Sequence, residues 1–251
     1  MIHDFTGLNV LVSGSGSGLG RSTAQYLASL GAFVCVSDIN AAACEETVSL
    51  IREAGGRVFG QAADLSRRDA FLGVAAAFAE AAGPIGAVIN NASVLRYQAI
   101  ENIEESTVDL MLAGGLKTVF WGAQAMLAHM DPAKGGSIIN YSSPVSYRGY
   151  PTTGVYSAVK GAVHALTRVM AAELGPKGVR VNALAPGSVP TPGATAYVSQ
   201  EEYAKRASSI PLRRLGSDDD NARAAAFLLG PEATFINGAV LNVDGGIVAA
   251  G

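Results

Sequence analysis

Short apolar segments alternate with longer helix-like segments along almost the whole of this 251-residue chain. The short segments are continuous apolar runs, which are typical of strands buried on both faces of a sheet. Strict β-α-β alternation predicts a parallel sheet with helices on both faces. Seven strands are predicted, at residues 9–12, 33–37, 58–62, 87–90, 137–141, 179–183 and 239–243. Helices are predicted at residues 19–30, 41–54, 67–82, 103–129, 155–174 and 218–229.

This alternation is not interrupted by a linker, a low-complexity segment or an internal repeat. We therefore predict one domain over residues 1–251, with a Rossmann-like, doubly wound α/β fold. The one long irregular stretch, at about residues 186–210, is expected to be a substrate loop, since long loops in compact domains often cover sites.

Composition excludes several classes of protein. Charged residues make up 16% of the chain and hydrophobic residues 49%, whereas disordered chains are charge-rich and apolar-poor. Two cysteines, Cys35 and Cys44, are too few for a disulfide scaffold and are expected to be reduced. A net charge of -3 argues against nucleic-acid binding. Because no signal peptide or membrane-spanning run is evident, a soluble, cytoplasmic protein is expected.

A glycine-rich run, SGSGSGLG at residues 13–20, follows the first predicted strand and precedes a predicted helix. Glycines in such a turn let backbone N–H groups approach a pyrophosphate, and the helix N-terminus adds positive potential. Asp38 lies 18 residues beyond Gly20, at the end of the second predicted strand. That spacing fits a carboxylate that binds the adenosine ribose hydroxyls, so the sequence predicts a dinucleotide site.

The choice between the two nicotinamide dinucleotides depends on charge near Asp38. This carboxylate would repel a 2′-phosphate, and sites for NADP usually supply Arg or Lys there. Ile39 follows Asp38, and no Lys or Arg occurs between Ser22 and Ile51. The sequence therefore favours NAD.

Three residues are candidates for catalysis. Tyr156 and Lys160 are four residues apart on one predicted helix and share a face. Ser143 ends the fifth predicted strand, at the same sheet edge as the glycine-rich turn. Tyrosine, with an ordinary pKa of about 10, is a poor base near neutrality. The Lys160 ammonium, a positive nicotinamide ring and the nearby helix start would each lower the pKa of Tyr156.

The glycines follow the spacing G-x-x-x-G-x-G, at Gly14, Gly18 and Gly20. Together with the Ser-Tyr-Lys set, this spacing resembles the short-chain dehydrogenase/reductase family, and the resemblance covers nearly the whole chain. It implies an NAD(H)-dependent oxidoreductase that interconverts a secondary alcohol and a ketone. Tyr156 would be the general acid/base and Ser143 would orient the substrate oxygen.

The resemblance also implies cofactor contacts along the chain. Asp64 and Leu65 match the adenine-contacting position, and the less favoured alternative for Asp64 is a strand-end turn residue. Thr191 falls where the family places a threonine on the nicotinamide carboxamide. The predicted cofactor-binding residues are Ser13, Gly14, Ser17, Gly18, Leu19, Gly20, Asp38, Ile39, Asp64, Leu65, Asn91, Tyr156, Lys160, Pro186, Gly187, Val189 and Thr191.

The chain departs from the family pattern at two positions. Ser93 replaces the glycine of an Asn-Asn-Ala-Gly motif, and Gly115 stands where a catalytic asparagine is usual. That asparagine helps to hold a water that relays protons to the lysine. The pair Gly114 and Gly115 has two interpretations: a local opening of the helix that admits a water, or a weakened or altered enzyme.

An apolar and aromatic substrate pocket is predicted on the nicotinamide side. Its residues are Val94, Tyr97, Ser143, Val145, Tyr150, Tyr156 and Tyr197, with Arg96 and Arg148 as the nearby charges. This set favours an uncharged secondary alcohol or ketone. No clustered His, Cys or Asp spacing suggests a metal.

Two alternative functions and an oligomeric state also have to be considered for a chain that resembles this family. The protein could be a non-catalytic NAD-binding sensor or scaffold, or a lyase that has abandoned the nucleotide. The intact glycine-rich run argues against the lyase, and the intact Ser-Tyr-Lys set argues against the sensor. Family members commonly assemble, so a homotetramer or homodimer is expected.

Overall fold

Buried parallel strands form the centre of the molecule in the computed structural model, which describes residues 4–195 and 198–250. Seven strands make one sheet: β1 Asn9–Ser13, β2 Phe33–Ser37, β3 Arg57–Gly60, β4 Ala87–Asn90, β5 Gly136–Tyr141, β6 Val179–Pro186 and β7 Val240–Val243. Their spatial order is β3-β2-β1-β4-β5-β6-β7, and every pair is parallel. The predicted doubly wound sheet is therefore confirmed.

Helices cover both faces of this sheet. They are α1 Gly18–Ser29, α2 Ala41–Glu53, α3 Arg68–Ala82, α4 Glu105–Leu112, α5 Thr118–His129, α6 Gly154–Leu174, α7 Pro192–Thr195, α8 Gln200–Ser209 and α9 Asp218–Leu229. Strand β1 shows why its sequence is a continuous apolar run. Val10 and Val12 pack into the core on one face and Leu11 into the core on the other, and all three are fully buried.

The strand order reverses between β1 and β4, which lie side by side in the middle of the sheet. Ser13, the last residue of β1, lies opposite Asn90, the last residue of β4. The chain leaves these two strand ends toward different faces of the sheet. In doubly wound folds such a switch point opens a crevice at the carboxyl ends of the strands, where ligands bind.

Two predicted elements differ from the structure. The single helix predicted for residues 103–129 is divided, since a wider π-type turn at Ala113–Lys117 joins α4 to α5. Helix α8 lies in the segment predicted to be irregular. Its first turn is capped by Ser199, and ion pairs Glu201–Lys205 and Glu202–Arg206 run along it. Tyr203 is the one buried residue of α8, so this helix lacks the apolar residues that mark the other helices in the sequence.

Some features that bear on function are absent from the described ranges. Within residues 4–195 and 198–250, no three His, Cys, Asp or Glu side chains are grouped as metal ligands. No helix in those ranges is long and apolar enough to cross a membrane. Cys35 and Cys44 are both buried free thiols.

Candidate active site

A cavity of about 1020 Å³ opens at the carboxyl edge of the sheet, beside the switch point. We call it the cleft. Its wall includes most of the predicted cofactor residues: Gly14, Ser17, Gly18, Leu19, Asp38, Asn91, Tyr156, Lys160, Pro186, Gly187, Val189 and Thr191. It also includes the predicted substrate residues Tyr97, Ser143, Val145 and Tyr150. One cavity therefore joins both predicted sites.

Other predicted residues lie elsewhere. Ser13, Gly20, Ile39, Asp64, Leu65 and Val94 are not in the wall of the cleft. Tyr197 lies outside the described residues. Asp64 accepts hydrogen bonds from the Ser66 backbone N–H at 3.1 Å and hydroxyl at 2.6 Å. Leu65 is buried in the core and Ile39 is largely exposed. These interactions fit the turn interpretation of Asp64, and its adenine contact stays a prediction.

Hydrogen bonds behind the cleft tie the end of β1 to the segment after β4. The Ser13 hydroxyl accepts from the backbone N–H groups of Asn91 and Ala92, both at 3.1 Å. The Asn91 side chain donates to the Gly14 carbonyl at 2.8 Å. Ser13 therefore acts by fixing the glycine-rich turn rather than by facing the cleft.

The glycines of this turn are required by close backbone approach. Gly14 has φ +64°, and a Cβ there would lie 2.7 Å from Ala92 Cα. A Cβ on Gly20 would overlap the Gly14 carbonyl oxygen and the Asn91 side chain. The turn is thus lined by backbone, as a loop that receives a pyrophosphate must be.

Asp38 is held at the mouth of the cleft by its neighbours. Its Oδ2 accepts from the Gly16 backbone N–H at 2.9 Å, and its Oδ1 accepts from the Asn40 N–H at 3.0 Å. Arg21, which the sequence argument did not weigh, is the nearby basic group of this turn. It donates to the Gly16 carbonyl and pairs with Glu46 at 2.6 Å, so its charge is directed away from the cleft.

The three catalytic candidates meet at the inner end of the cleft. Tyr156 and Lys160 lie on one face of α6, and Ser143 lies two residues beyond the end of β5. The Ser143 hydroxyl hydrogen-bonds Tyr156. Lys160 Nζ lies 5.7 Å from the centre of the Tyr156 ring and donates to the Tyr141 carbonyl at 2.8 Å. The predicted set is therefore assembled, with Ser143 against the tyrosine and Lys160 beneath it.

Burial dominates the ionisation of these groups. It raises the pKa of Tyr156 to about 12, with a smaller rise from Tyr97 and a small lowering from the Ser143 hydrogen bond. It lowers the pKa of Lys160 to about 8. The expected lowering of the Tyr156 pKa by Lys160 therefore does not arise from the protein groups alone, because desolvation of the phenolate outweighs them.

Comparison with known proteins agrees with this geometry. The family model described as enoyl-(acyl carrier protein) reductase matches residues 14–248. The chain belongs to the short-chain dehydrogenase/reductase family.

Individual relatives cover almost the whole chain. Gluconate 5-dehydrogenase of Gluconobacter oxydans is 33% identical over 99% of this chain and 98% of its own. The structure of a short-chain dehydrogenase/reductase from Serratia marcescens superposes with a TM-score of 0.91, at 31% identity over 98% of this chain and 100% of that one. A 7α-hydroxysteroid dehydrogenase complexed with NADH and 7-oxo glycochenodeoxycholic acid has a TM-score of 0.92, at 30% identity over 97% and 95% of the two chains.

Gly115, where the family resemblance predicts an asparagine, lies within the π-type turn Ala113–Lys117. A Cβ on Gly115 would lie 2.8 Å from Val159 Cγ1 and 3.4 Å from Ser93 Oγ. A Cβ on Gly114 would lie 2.9 Å from Val94 Cγ2. The helix is therefore widened at the glycine pair, and the surrounding side chains fill the space that an asparagine would need. Whether a water completes this site stays a prediction.

Helix α8 supplies wall residues that the sequence argument missed. Arg206 hydrogen-bonds the Tyr97 hydroxyl, and its Nε pairs with Glu202 at 3.0 Å. The Tyr97 ring packs edge-on against Tyr156, with 6.5 Å between ring centres. The Ser199 cap and the four-residue spacings of Glu201 with Lys205 and Glu202 with Arg206 were the available signals for this helix.

Replacing Lys160 by Met is expected to stabilise the fold. Burial of this ammonium lowers its pKa from 10.5 to about 8, which corresponds to about 3 kcal/mol of unfavourable burial at neutral pH. Loss of the hydrogen bond to Tyr141 offsets about 1 kcal/mol of the gain. The unfolded chain binds more protons than the folded one between about pH 8 and pH 10. Wild-type stability should therefore rise relative to Lys160→Met across that window.

Urea unfolding of both proteins at several pH values measures this difference. Lys177→Met is the matched control, because Lys177 is exposed on the turn after α6. A stability difference that stays constant with pH would contradict the buried-charge interpretation.

Gly115→Asn is expected to lower both stability and turnover. Its Cβ would meet the stiff, β-branched Val159 at 2.8 Å, so the neighbouring helix must shift. A cost of about 1–3 kcal/mol is typical of such overpacking. Thermal unfolding and NAD-dependent turnover are measured together, and adding Val159→Ala should recover part of the stability.

Gly161→Ala is the control for this substitution, because a Cβ there meets nothing within 4 Å. A large increase in turnover for Gly115→Asn would show that the wild-type chain lacks what the asparagine provides.

Proposed function

We propose that this protein is an NAD(H)-dependent oxidoreductase that interconverts a secondary alcohol and a ketone. The observation that carries the proposal is the shared cleft. A backbone-lined glycine turn and a fixed Asp38 carboxylate form one end, and Ser143, Tyr156 and Lys160 meet at the other. A dinucleotide that extends from the first end brings its nicotinamide to the second.

The residues present fit NAD. The Gly14 to Gly18 backbone would receive the pyrophosphate, and the Asp38 carboxylate would accept hydrogen bonds from the adenosine ribose. Pro186, Gly187 and Thr191 line the cleft near the Ser-Tyr-Lys set, where the nicotinamide end would lie. Because Arg21 is engaged by Glu46, no basic group of this turn is directed toward a 2′-phosphate. The neighbour complexed with NADH agrees with this choice.

The chemistry follows from the three catalytic candidates. When bound, NAD⁺ accepts a hydride from the alcohol carbon. Ser143 would hydrogen-bond the substrate oxygen, and Tyr156 would remove the hydroxyl proton. Because burial raises the pKa of Tyr156 to about 12, its hydroxyl ionises to the proton-accepting phenolate only when a further positive charge beside it lowers that pKa. In this proposal that charge is the oxidised cofactor's, with the Lys160 ammonium adding to it.

Aromatic and apolar side chains at the substrate end of the cleft, Tyr97, Val145 and Tyr150, support an uncharged secondary alcohol or ketone as the substrate. The charged side chains Arg148, Glu202, Lys205 and Arg206 also line the wall of the cleft. The two similar enzymes named for a substrate act on gluconate and on a steroid, so similarity alone does not select one.

A non-catalytic NAD-binding sensor or scaffold is the alternative. The observation that favours it is the raised pKa of Tyr156, together with a glycine in the asparagine position. Turnover with any secondary alcohol would exclude this alternative.

We also propose assembly into a homotetramer or homodimer in the cytoplasm. Leu110, Phe120 and Val169 on α4, α5 and α6 are apolar side chains that are each 40–56% exposed. Burial of such side chains between subunits would remove apolar area from water.

Tyr156→Phe is the decisive variant for the proposed reaction. Removing the hydroxyl removes the only proposed proton acceptor, so turnover of secondary alcohols should fall by about 10³-fold or more. Absorbance at 340 nm with NAD⁺ and a panel of secondary alcohols measures the reaction, and NADH fluorescence titration checks that the cofactor still binds. Retained turnover in Tyr156→Phe would refute the mechanism, and NAD binding without wild-type turnover would favour the sensor.

Asp38→Asn tests the choice of cofactor. The amide removes the charge and one of the two acceptor oxygens, so one of the backbone N–H groups of Gly16 and Asn40 loses its partner, and KM for NAD⁺ should rise by about tenfold. Adding Ile39→Arg should let NADP⁺ support turnover. Steady-state kinetics with NAD⁺ and NADP⁺ give the ratio of kcat/KM for the two cofactors. Asp69→Asn is the control, because Asp69 is an exposed carboxylate on α3. An unchanged preference in Asp38→Asn would mean that this carboxylate does not select NAD.

A further inference from the structure

The segment that carries Ser143 is tied to helix α6 on both sides of that residue. Upstream, Lys160 Nζ donates to the Tyr141 carbonyl at 2.8 Å, and the Ser142 hydroxyl donates to the Lys160 carbonyl at 3.2 Å. These two bonds fix where the segment leaves β5. They do not fix the chain beyond Ser143, which turns immediately into a short 3₁₀ helix at Pro144–Ser146.

The downstream tie is made by Ser146 and His164. The Ser146 hydroxyl lies 2.5 Å from the Ser143 carbonyl oxygen and 2.9 Å from His164 Nε2. His164 lies two turns beyond Tyr156 on α6, so Tyr156, Lys160 and His164 occupy one face of the helix. His164 is buried, and its ring packs edge-on against Tyr147 at 4.7 Å.

The direction of these hydrogen bonds follows from the donors present. A carbonyl oxygen only accepts, so the single hydrogen of the Ser146 hydroxyl points at Ser143. His164 Nε2 must then carry a hydrogen and donate it to Ser146. Burial, Arg168 and Lys160 all lower the pKa of His164, which keeps the imidazole neutral near pH 7 with its hydrogen on Nε2.

These bonds do more than satisfy buried polar groups. The Ser143 carbonyl already accepts from the Ser146 backbone N–H at 3.1 Å. An apolar pair at positions 146 and 164 would leave no buried group unpaired, and such matched replacements are close to neutral for stability. The apolar pair would lose the hydrogen bonds through Ser146 and His164 that join the Ser143 segment to α6 on its downstream side.

We propose that His164 is a positioning residue that holds Ser143 against Tyr156 through Ser146. The proposal rests on the proposed function, in which the Ser143 hydroxyl orients the substrate oxygen beside Tyr156. A displacement of about 1 Å at such a position costs up to about a hundredfold in rate. A reaction centre that spans a loop and a helix therefore depends on the bonds that join the two.

Kinetics of three variants test this role. His164→Leu and Ser146→Ala each break the chain of hydrogen bonds, and each should lower kcat by about tenfold or more while KM for NAD⁺ stays unchanged. His164→Gln places an amide donor near the Nε2 position and should restore kcat to within about threefold of wild type. The double variant His164→Leu/Ser146→Ala should be no slower than either single variant, because both break the same chain.

Thr167→Val is the matched control on the same helix. The Thr167 hydroxyl is buried and accepts from Asn140 on β5 at 3.0 Å, away from Ser143. This variant should lower the unfolding temperature and leave kcat within about twofold of wild type. If His164→Leu changes only the unfolding temperature, or if His164→Gln fails to restore kcat, the proposal is overturned.

A readout independent of turnover separates this proposal from the proposed function. In protein labelled with ¹³Cζ-tyrosine, Tyr156→Phe identifies the Tyr156 resonance, which reports the hydrogen bond from Ser143. The resonance should shift in His164→Leu and Ser146→Ala and return in His164→Gln. If the wild-type protein shows no turnover while the Tyr156 resonance shifts in the variants as expected, the proposed function is refuted and the positioning role is not. An unchanged Tyr156 resonance in His164→Leu would refute the positioning role.

Discussion

The hydrogen bonds between Ser13 and the segment at Asn91 are the constraint on which the cleft depends. They satisfy the backbone groups at the ends of β1 and β4, where the chain divides toward opposite faces of the sheet. The space between the diverging segments becomes the cleft. Because Gly20 has no Cβ, the Asn91 side chain fits beneath the glycine-rich turn and keeps its backbone facing that space. Ser13 is therefore essential to a site that it does not line.

Burial of Lys160 opposes the stability of the fold. Among the residues that the structure describes, its ammonium has one acceptor, the Tyr141 carbonyl, although it carries three donors. The same dry surroundings raise the pKa of Tyr156, so burial disfavours the charged form of both side chains. A positive ligand charge beside Tyr156 would stabilise its phenolate most strongly in such a low-dielectric site. Burial is therefore the origin of both the lost stability at Lys160 and the proposed reactivity of Tyr156.

The sequence predicted the parts of the structure that depend on local pattern. Val10, Leu11 and Val12 are apolar because both faces of β1 are buried, and the spacing of Tyr156 and Lys160 follows from the helix repeat. Features that depend on distant contacts were missed. The π-type turn at Gly115 packs against Val159 and Ser93 from other segments, which a local pattern does not reveal. Helix α8 was missed because charge pairs rather than an apolar face stabilise it.

The two ends of the cleft also differ in how far local sequence pattern determines them. The proposed cofactor end is formed by backbone and by one carboxylate, so a short run of residues determines its chemistry. The proposed substrate end is formed by side chains from separate segments, such as Tyr97, Tyr150 and Arg206. Their arrangement depends on how α8 and these separate segments meet at the cleft, which no local pattern specifies. The class of reaction can therefore be inferred from the sequence, whereas the substrate depends on contacts that change without disturbing the cofactor end.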